Sequence, residues 1–212
     1  FHLAAHDWGS IQTWESVTTE RLKSRIASFT SISGPSLDHA SYWIRERAFN
    51  GSLAAKIKVM KQLMSSWYIG FFQLPVLPKA AWRAGADKWW PVYLEKREGV
   101  REHAQNPTQS ADGMNGVQLY RANFIDKLMN PAPRHAACPV QLLVPINDNY
   151  VGTQLFEDLS RWVPNLYRRD LAAGHWVVLS QPDVISGYID EFVSGIEAGA
   201  LSEALQEARV CG

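Results

Sequence analysis

The sequence predicts an α/β protein in which a parallel sheet is interrupted by a long helical insertion. Three observations carry that expectation. Short apolar segments bounded by turn residues lie near both ends of the chain, the stretch between them has helical periodicity without strand character, and several apolar segments end in abrupt polar breaks. With 212 residues, 46% of them hydrophobic and 20% charged, the chain is long enough to bury a substantial core.

The first segment, Phe1-His2-Leu3-Ala4-Ala5, is broken by Asp7-Trp8-Gly9-Ser10, after which Ile11, Trp14 and Val17 recur at helical spacing. Strand, sharp turn and helix are the reading. A second buried strand is predicted over residues 26–33, stopped by Gly34-Pro35, and two short strands flanking one helix make a parallel βαβ unit. Residues 1–35 therefore form a first piece of sheet core. Over 36–133 helices dominate: Leu53, Ile57, Met60, Met64 and Trp67 make an apolar stripe, Pro75 and Pro78 punctuate it, and a later helix covers 117–129 before Asn130-Pro131. Strand character returns at 139–146, followed by the polar Asn147-Asp148-Asn149, a predicted helix to about Trp162, and a strand over 166–171 that runs into Gly174-His175. Pro182 opens a last amphipathic helix bearing Ile185, Ile189, Phe192 and Ile196 on one face. The expected divisions are 1–35 and 134–197 for the core, 36–133 for a helical cap, and 198–212 for a tail or linker.

Ala5-His6-Asp7-Trp8-Gly9 follows the pattern small-x-nucleophile-x-small that a strand-to-helix elbow demands, with aspartate where serine is more familiar. A carboxylate attacks saturated carbon and leaves an ester on the enzyme, which suits epoxide opening or halide displacement. On these five residues alone, Asp7 reads equally as a helix N-cap. Asp148 and His175, each just after a strand pattern, add the chain order nucleophile, acid, histidine of an α/β-hydrolase triad. Each also has a plainer reading, Asp148 as the start of an Asx turn and His175 as a loop histidine, and the neighbouring asparagines leave open which side chain orients the histidine.

His6-Asp7-Trp8-Gly9 and Gly174-His175-Trp176 resemble the nucleophile and histidine motifs of the epoxide hydrolases of the α/β-hydrolase fold. Tyr68-Ile69-Gly70-Phe71-Phe72-Gln73-Leu74-Pro75 and Leu119-Tyr120-Arg121-Ala122-Asn123 resemble that family's two cap-tyrosine motifs. The resemblance implies a triad of Asp7, Asp148 and His175, substrate-binding tyrosines Tyr68 and Tyr120, and an oxyanion-hole N–H from Trp8. It implies hydrolysis of a small apolar epoxide to a vicinal diol through an aspartyl ester, with no cofactor. Packing competes for Tyr68, which shares a helical stripe with Ile57 and Met64, and for Tyr120, one turn from Phe124. Two rival functions remain: a haloalkane dehalogenase of the same fold, and a non-catalytic ligand binder.

Within that family, Ser31-Ile32-Ser33-Gly34-Pro35-Ser36-Leu37-Asp38-His39, Trp162-Val163-Pro164 and Arg168-Arg169-Asp170 resemble the hydrolase half of actinobacterial proteins fused downstream to a short-chain dehydrogenase. A start at Phe1 and the lack of an HGxP loop suggest that the N-terminal strands of the fold are missing, so that these residues alone are expected to be weakly active or inactive.

Several classes are disfavoured. Basic and acidic residues balance at 21 each, so no net field draws nucleic acid. His2, His39, His103 and His135 lack metal-binding spacing, and there is no P-loop and no G-x-G-x-x-G. No apolar run approaches the roughly 18 to 20 residues of a membrane span. Two cysteines without a C-x-x-C pair, Cys138 and Cys211, point to a reducing, cytoplasmic setting.

Overall fold

Apolar runs flanked by turn residues become four parallel strands laid side by side in chain order: β1 (His2–His6), β2 (Ser28–Ile32), β3 (Val140–Pro145) and β4 (Leu166–Leu171). The computed structural model describes residues 1–101 and 106–210; His103 and Cys211 lie outside them. Every residue of β2 and β3 is buried, as expected where helices cover both faces of a parallel sheet. Ala5 pairs with Ser31, Ser31 with Leu142 and Leu142 with Arg168, a register that aligns the strand ends.

α1 (Trp8–Val17) joins β1 to β2 and buries Trp14 and Val17 against Phe29 and Val140. Between β2 and β3 lie α2 (Leu37–Arg45), α3 (Leu53–Ser65), α4 (Trp67–Gln73), α5 (Leu77–Ala81), α6 (Asp87–Glu98) and α7 (Gln109–Met129), with no strand among the described residues. Ser36 and Ser52 cap α2 and α3 by accepting the N–H groups of His39 and Ala55. Buried Asp38 ties the two ends of this insertion together: it pairs with Lys127 at 3.2 Å and Arg134 at 2.8 Å, and accepts the Ala132 N–H at 2.8 Å. Beyond β4 come α8 (Val177–Ser180) and α9 (Pro182–Ala198), whose Ile185 and Phe192 are buried. No helix of the described residues is long and apolar enough to cross a membrane.

Two expectations fail, and one helix turns a face that the sequence did not assign. The helix predicted to run to Trp162 is instead two short 3₁₀ turns, Thr153–Phe156 and Leu159–Arg161, separated by Asp158 at φ 60°. Val151, Leu155, Leu159 and Val163 mimic helical spacing but reach the core from these short turns and the segments beside them. On α3 the apolar stripe faces outward: Leu53 is 77% exposed and Met64 69%, while Val59 and Gln62 turn inward. Periodicity reveals an amphipathic helix without revealing which side is covered, and here the amide of Gln62 is the anchor. It donates to the Tyr150 carbonyl and accepts from the Gly152 N–H. Finally, the expected tail holds α10 (Glu203–Glu207) and β5 (Arg209–Val210), an antiparallel strand on β4, because Leu205 is fully buried against Phe192 and Tyr167.

Candidate active site

Asp7 occupies the bend between β1 and α1 with φ 51° and ψ −125°, a conformation that costs a non-glycine residue about 1–3 kcal/mol and persists only when its surroundings enforce it. The Asp7 N–H donates to the Ile32 carbonyl at 3.1 Å, which pins the bend to the end of β2. Gly34 makes the fit possible, since a Cβ there would stand 2.4 Å from the Asp7 carbonyl oxygen and 2.5 Å from the Ser10 Cβ. At Gly9 an added Cβ would meet only ordinary contact at 3.7 Å, so the tightest spot lies across the elbow from the motif. Although Asp7 stands at the N-cap position, its side chain caps nothing; the carboxylate is free to face outward from the strand end.

His175, on the loop after β4, reaches back across the strand ends. Its Nδ1–H donates to Asp148 Oδ2 at 2.8 Å, and its Nε2 lies 3.5 Å from Asp7 Oδ1. Asp148, not Asn147 or Asn149, is therefore the side chain on the histidine. Its other oxygen, Oδ1, accepts the N–H groups of Tyr150 and Val151 at 2.7 and 2.9 Å. The Asx turn and the histidine contact are thus both present in one carboxylate. His6 sits beside the elbow, and its Nε2–H donates to the His175 carbonyl at 2.8 Å.

Burial alone would lower the basicity of His175, but the Asp148 and Asp7 carboxylates outweigh it and push its pKa up to about 9. Burial works on Asp7 in the opposite sense, raising its pKa, yet the His175 ring holds it below the usual carboxylate value, helped by the Trp8 N–H. Both groups are charged at neutral pH, a compact ion pair with Trp8 N–H on the carboxylate.

Tyr68 of α4 and Tyr120 of α7 stand over the same carboxylate, their rings 5.8 Å apart and nearly perpendicular. Burial, the other phenol and the Asp7 charge raise Tyr68 far above an ordinary phenol. Burial and Asp7 push Tyr120 up to about 12, against hydrogen bonds from Trp8 and Tyr68. Both phenols stay protonated and can donate. Asp7, His175 and the two tyrosines line one cavity of about 720 Å³, whose walls include Trp82, Trp90, Tyr150 and Trp176. Gly113 allows the wall to close, because a Cβ there would run into the Trp82 ring at 2.2 Å.

Residues that the sequence did not single out also meet His175 and its loop. Tyr150 packs edge-on against the His175 ring at 5.0 Å. Glu98, at the end of α6, accepts the Trp176 N–H at 3.3 Å and the Tyr93 hydroxyl at 3.3 Å. Adjacency to Asp148 was the only sequence signal for Tyr150; nothing marked Glu98. Among the described residues, no cluster of three or more His, Cys, Asp or Glu side chains is placed to hold a metal ion.

Parallel strands carrying an aspartate elbow, an acid and a histidine at their C-terminal ends, with helices inserted after the second strand, define the α/β-hydrolase fold. Epoxide hydrolases are among its structural neighbours. An epoxide hydrolase of Bacillus megaterium in complex with an inhibitor superposes with a TM-score of 0.64 at 17% identity, covering 91% of this chain and 69% of that one. The epoxide hydrolase VrEH1 of Vigna radiata gives 0.62 at 18% identity, covering 91% and 68%. Among curated proteins, the "Probable oxidoreductase EphD" of Mycobacterium tuberculosis and of Mycobacterium bovis is 30% identical over 224 residues, which take in 99% of this chain. The chain spans only 36% of the length of those relatives. No protein-family model matches it.

Proposed function

We propose that this chain hydrolyses an epoxide to a vicinal diol through an ester on Asp7. One observation carries the reading: an ionised carboxylate paired with a histidine lies directly beneath two protonated phenols in an aromatic-walled cavity.

Tyr68 and Tyr120 hydrogen-bond the epoxide oxygen while an Asp7 oxygen attacks a ring carbon from the opposite side, so that the carbon–oxygen bond to the ring breaks as the ester bond forms. The freed oxygen takes a proton from a phenol. Alkylation turns Asp7 into a neutral ester, and His175 loses the charge that helped to hold its proton. That proton passes through solvent to restore the phenol. Neutral His175, oriented by Asp148, then takes a proton from water as the hydroxyl adds to the Asp7 ester carbonyl, and returns it to the departing alkoxide. The acid proton left on Asp7 moves to His175 and re-forms the ion pair. The Trp8 N–H is the oxyanion donor supplied by this chain.

Helices between 36 and 133 act in this reading as a cap that carries the electrophilic phenols, and 1–35 with 134–197 as the core. The substrate is a small apolar epoxide, in keeping with the aromatic walls. A downstream short-chain dehydrogenase in the same polypeptide is part of the proposal, since the mycobacterial relative is longer and is described as an oxidoreductase. Buried, unpaired Cys138 suits a reducing cytoplasm.

The test is mass spectrometry of the Asp7 peptide after the His175→Gln protein meets styrene oxide. An adduct equal in mass to the epoxide is expected, because alkylation proceeds and ester hydrolysis stalls. An unmodified Asp7 favours a ligand binder, and halide release from a chloroalkane without diol formation favours a dehalogenase.

A further inference from the structure

The outward stripe on α3 is unusual for its chemistry as well as its exposure. Leu53, Ile57, Met60 and Met64 lie on one side of the helix, Trp67 follows at the start of α4, and each is close to half exposed or more. Lys56, one turn from Met60, flanks the stripe on one side, and Lys61, one turn from Ile57, flanks it on the other. Both are exposed, and neither joins an ion pair among the described residues. Lys58 points elsewhere and pairs with Glu157 at 2.6 Å.

Charge is segregated around this helix. Between Glu46 and Asp87 the sequence contains six basic residues and no acidic one, in a chain whose charges otherwise balance at 21 each. An apolar stripe bordered by unpaired lysines, on a helix that carries no carboxylate of its own, matches a bilayer surface rich in anionic lipid, where lysine stems lie along the acyl boundary and ammonium groups reach the headgroups. The inner side of α3 is fixed to the loop after β3 by Gln62.

Trp67 links this face to the site. It ends the stripe, is 69% exposed, and also lines the cavity that holds Asp7. Trp89, 73% exposed, lines the same cavity. The apolar surface thus continues into the cavity mouth.

We propose that the outer face of α3 docks on an anionic lipid bilayer and presents the cavity mouth to it. Docking does not depend on the reaction assigned to the site, and its readout needs no turnover. The full chain is mixed with phosphatidylcholine vesicles, with or without phosphatidylglycerol, and bound protein is separated by flotation. Binding is expected only to the anionic vesicles and is weakened by salt, since exposed charges are screened. Lys56→Gln with Lys61→Gln lowers the partition coefficient roughly thirtyfold, about fivefold per lysine. Met60→Glu with Met64→Glu abolishes it, and since all four positions are exposed, circular dichroism stays that of the parent. Equal binding to both vesicle types, or to neither, overturns the proposal. So does a concentration-dependent doubling of mass that Met60→Glu dissolves, which would put a second copy of the chain on the face.

Discussion

Asp148 divides its two oxygens between structure and site: Oδ2 holds His175 Nδ1 at 2.8 Å, while Oδ1 closes a turn by accepting the N–H groups of Tyr150 and Val151. The division separates two substitutions that would otherwise look alike. Asp148→Asn keeps a carbonyl oxygen for the turn but sets a neutral amide against the ring, so the imidazole loses its orienting charge and its tautomer is no longer enforced. Diol formation is expected to fall on the order of 10³–10⁴-fold with a melting temperature near that of the parent. Asp148→Ala strands two N–H groups as well, adding about 1–3 kcal/mol of destabilisation for each that is left unsatisfied. Equal melting temperatures for the two variants would show that the turn does not need Oδ1.

In the proposed mechanism, ester formation and ester hydrolysis ask opposite things of His175, and the ion pair with Asp7 would reconcile them. With Asp7 ionised, the histidine has a pKa of about 9 and is protonated at neutral pH. Removing the Asp7 charge takes away part of what raises it. In Asp7→Asn the His175 pKa is therefore expected to drop, by roughly one to three units for the loss of an adjacent opposite charge. Titration of the ring resonances by NMR reads this directly. A His175 that still titrates near 9 in Asp7→Asn would mean that alkylation cannot free the base.

The two phenols can be told from packing residues by which kinetic constant moves. In the proposed reaction each donates to an oxygen that gains charge only as the ring opens, so Tyr68→Phe and Tyr120→Phe would keep the aromatic packing and lose a transition-state donor. Each is expected to lower kcat about 10²-fold with little change in KM, and the double variant more. Because both phenols titrate far above neutrality, neither contributes a limb to the pH profile below pH 9. A rise in KM alone would make them walls of the cavity and nothing more.

Much of the core was legible because buried parallel strands are short continuous apolar runs. β4 is residues 166–171 as read from the sequence, and β2 and β3 lie within the predicted 26–33 and 139–146. The meeting of Asp7, Asp148 and His175 was legible for the same reason: each follows a strand, and parallel order brings strand ends together. What failed was anything decided by a partner. Val151, Leu155 and Leu159 have helical spacing, yet a left-handed Asp158 and the turn on Asp148 keep that stretch in short turns. The stripe of α3 was visible as a stripe, but its outward direction depends on what Gln62 finds across the interface. Glu98 meets the histidine loop from a helix far away in sequence, and no local pattern encodes such a meeting.

Part of the acid sensitivity should originate in a histidine remote from the cavity. His39 is buried, stacks on Trp162 at 5.1 Å, donates from Nε2 to the Arg134 carbonyl at 2.7 Å, and has no partner for Nδ1. Burial therefore depresses its pKa from 6.5 to about 4. Between those values the unfolded chain binds a proton that the folded chain refuses, so stability contributed by neutral His39 is complete above pH 6.5 and is lost as pH falls toward 4. The loss approaches about 3 kcal/mol, from 1.36 kcal/mol per unit. His39→Phe keeps the stack and cannot titrate. It is expected to be less stable than the parent at pH 7, because the Arg134 carbonyl loses its donor, and to lose less stability between pH 7 and pH 4.5. Urea unfolding at the two pH values measures both quantities. Parallel losses in parent and variant would place the acid-sensitive group elsewhere.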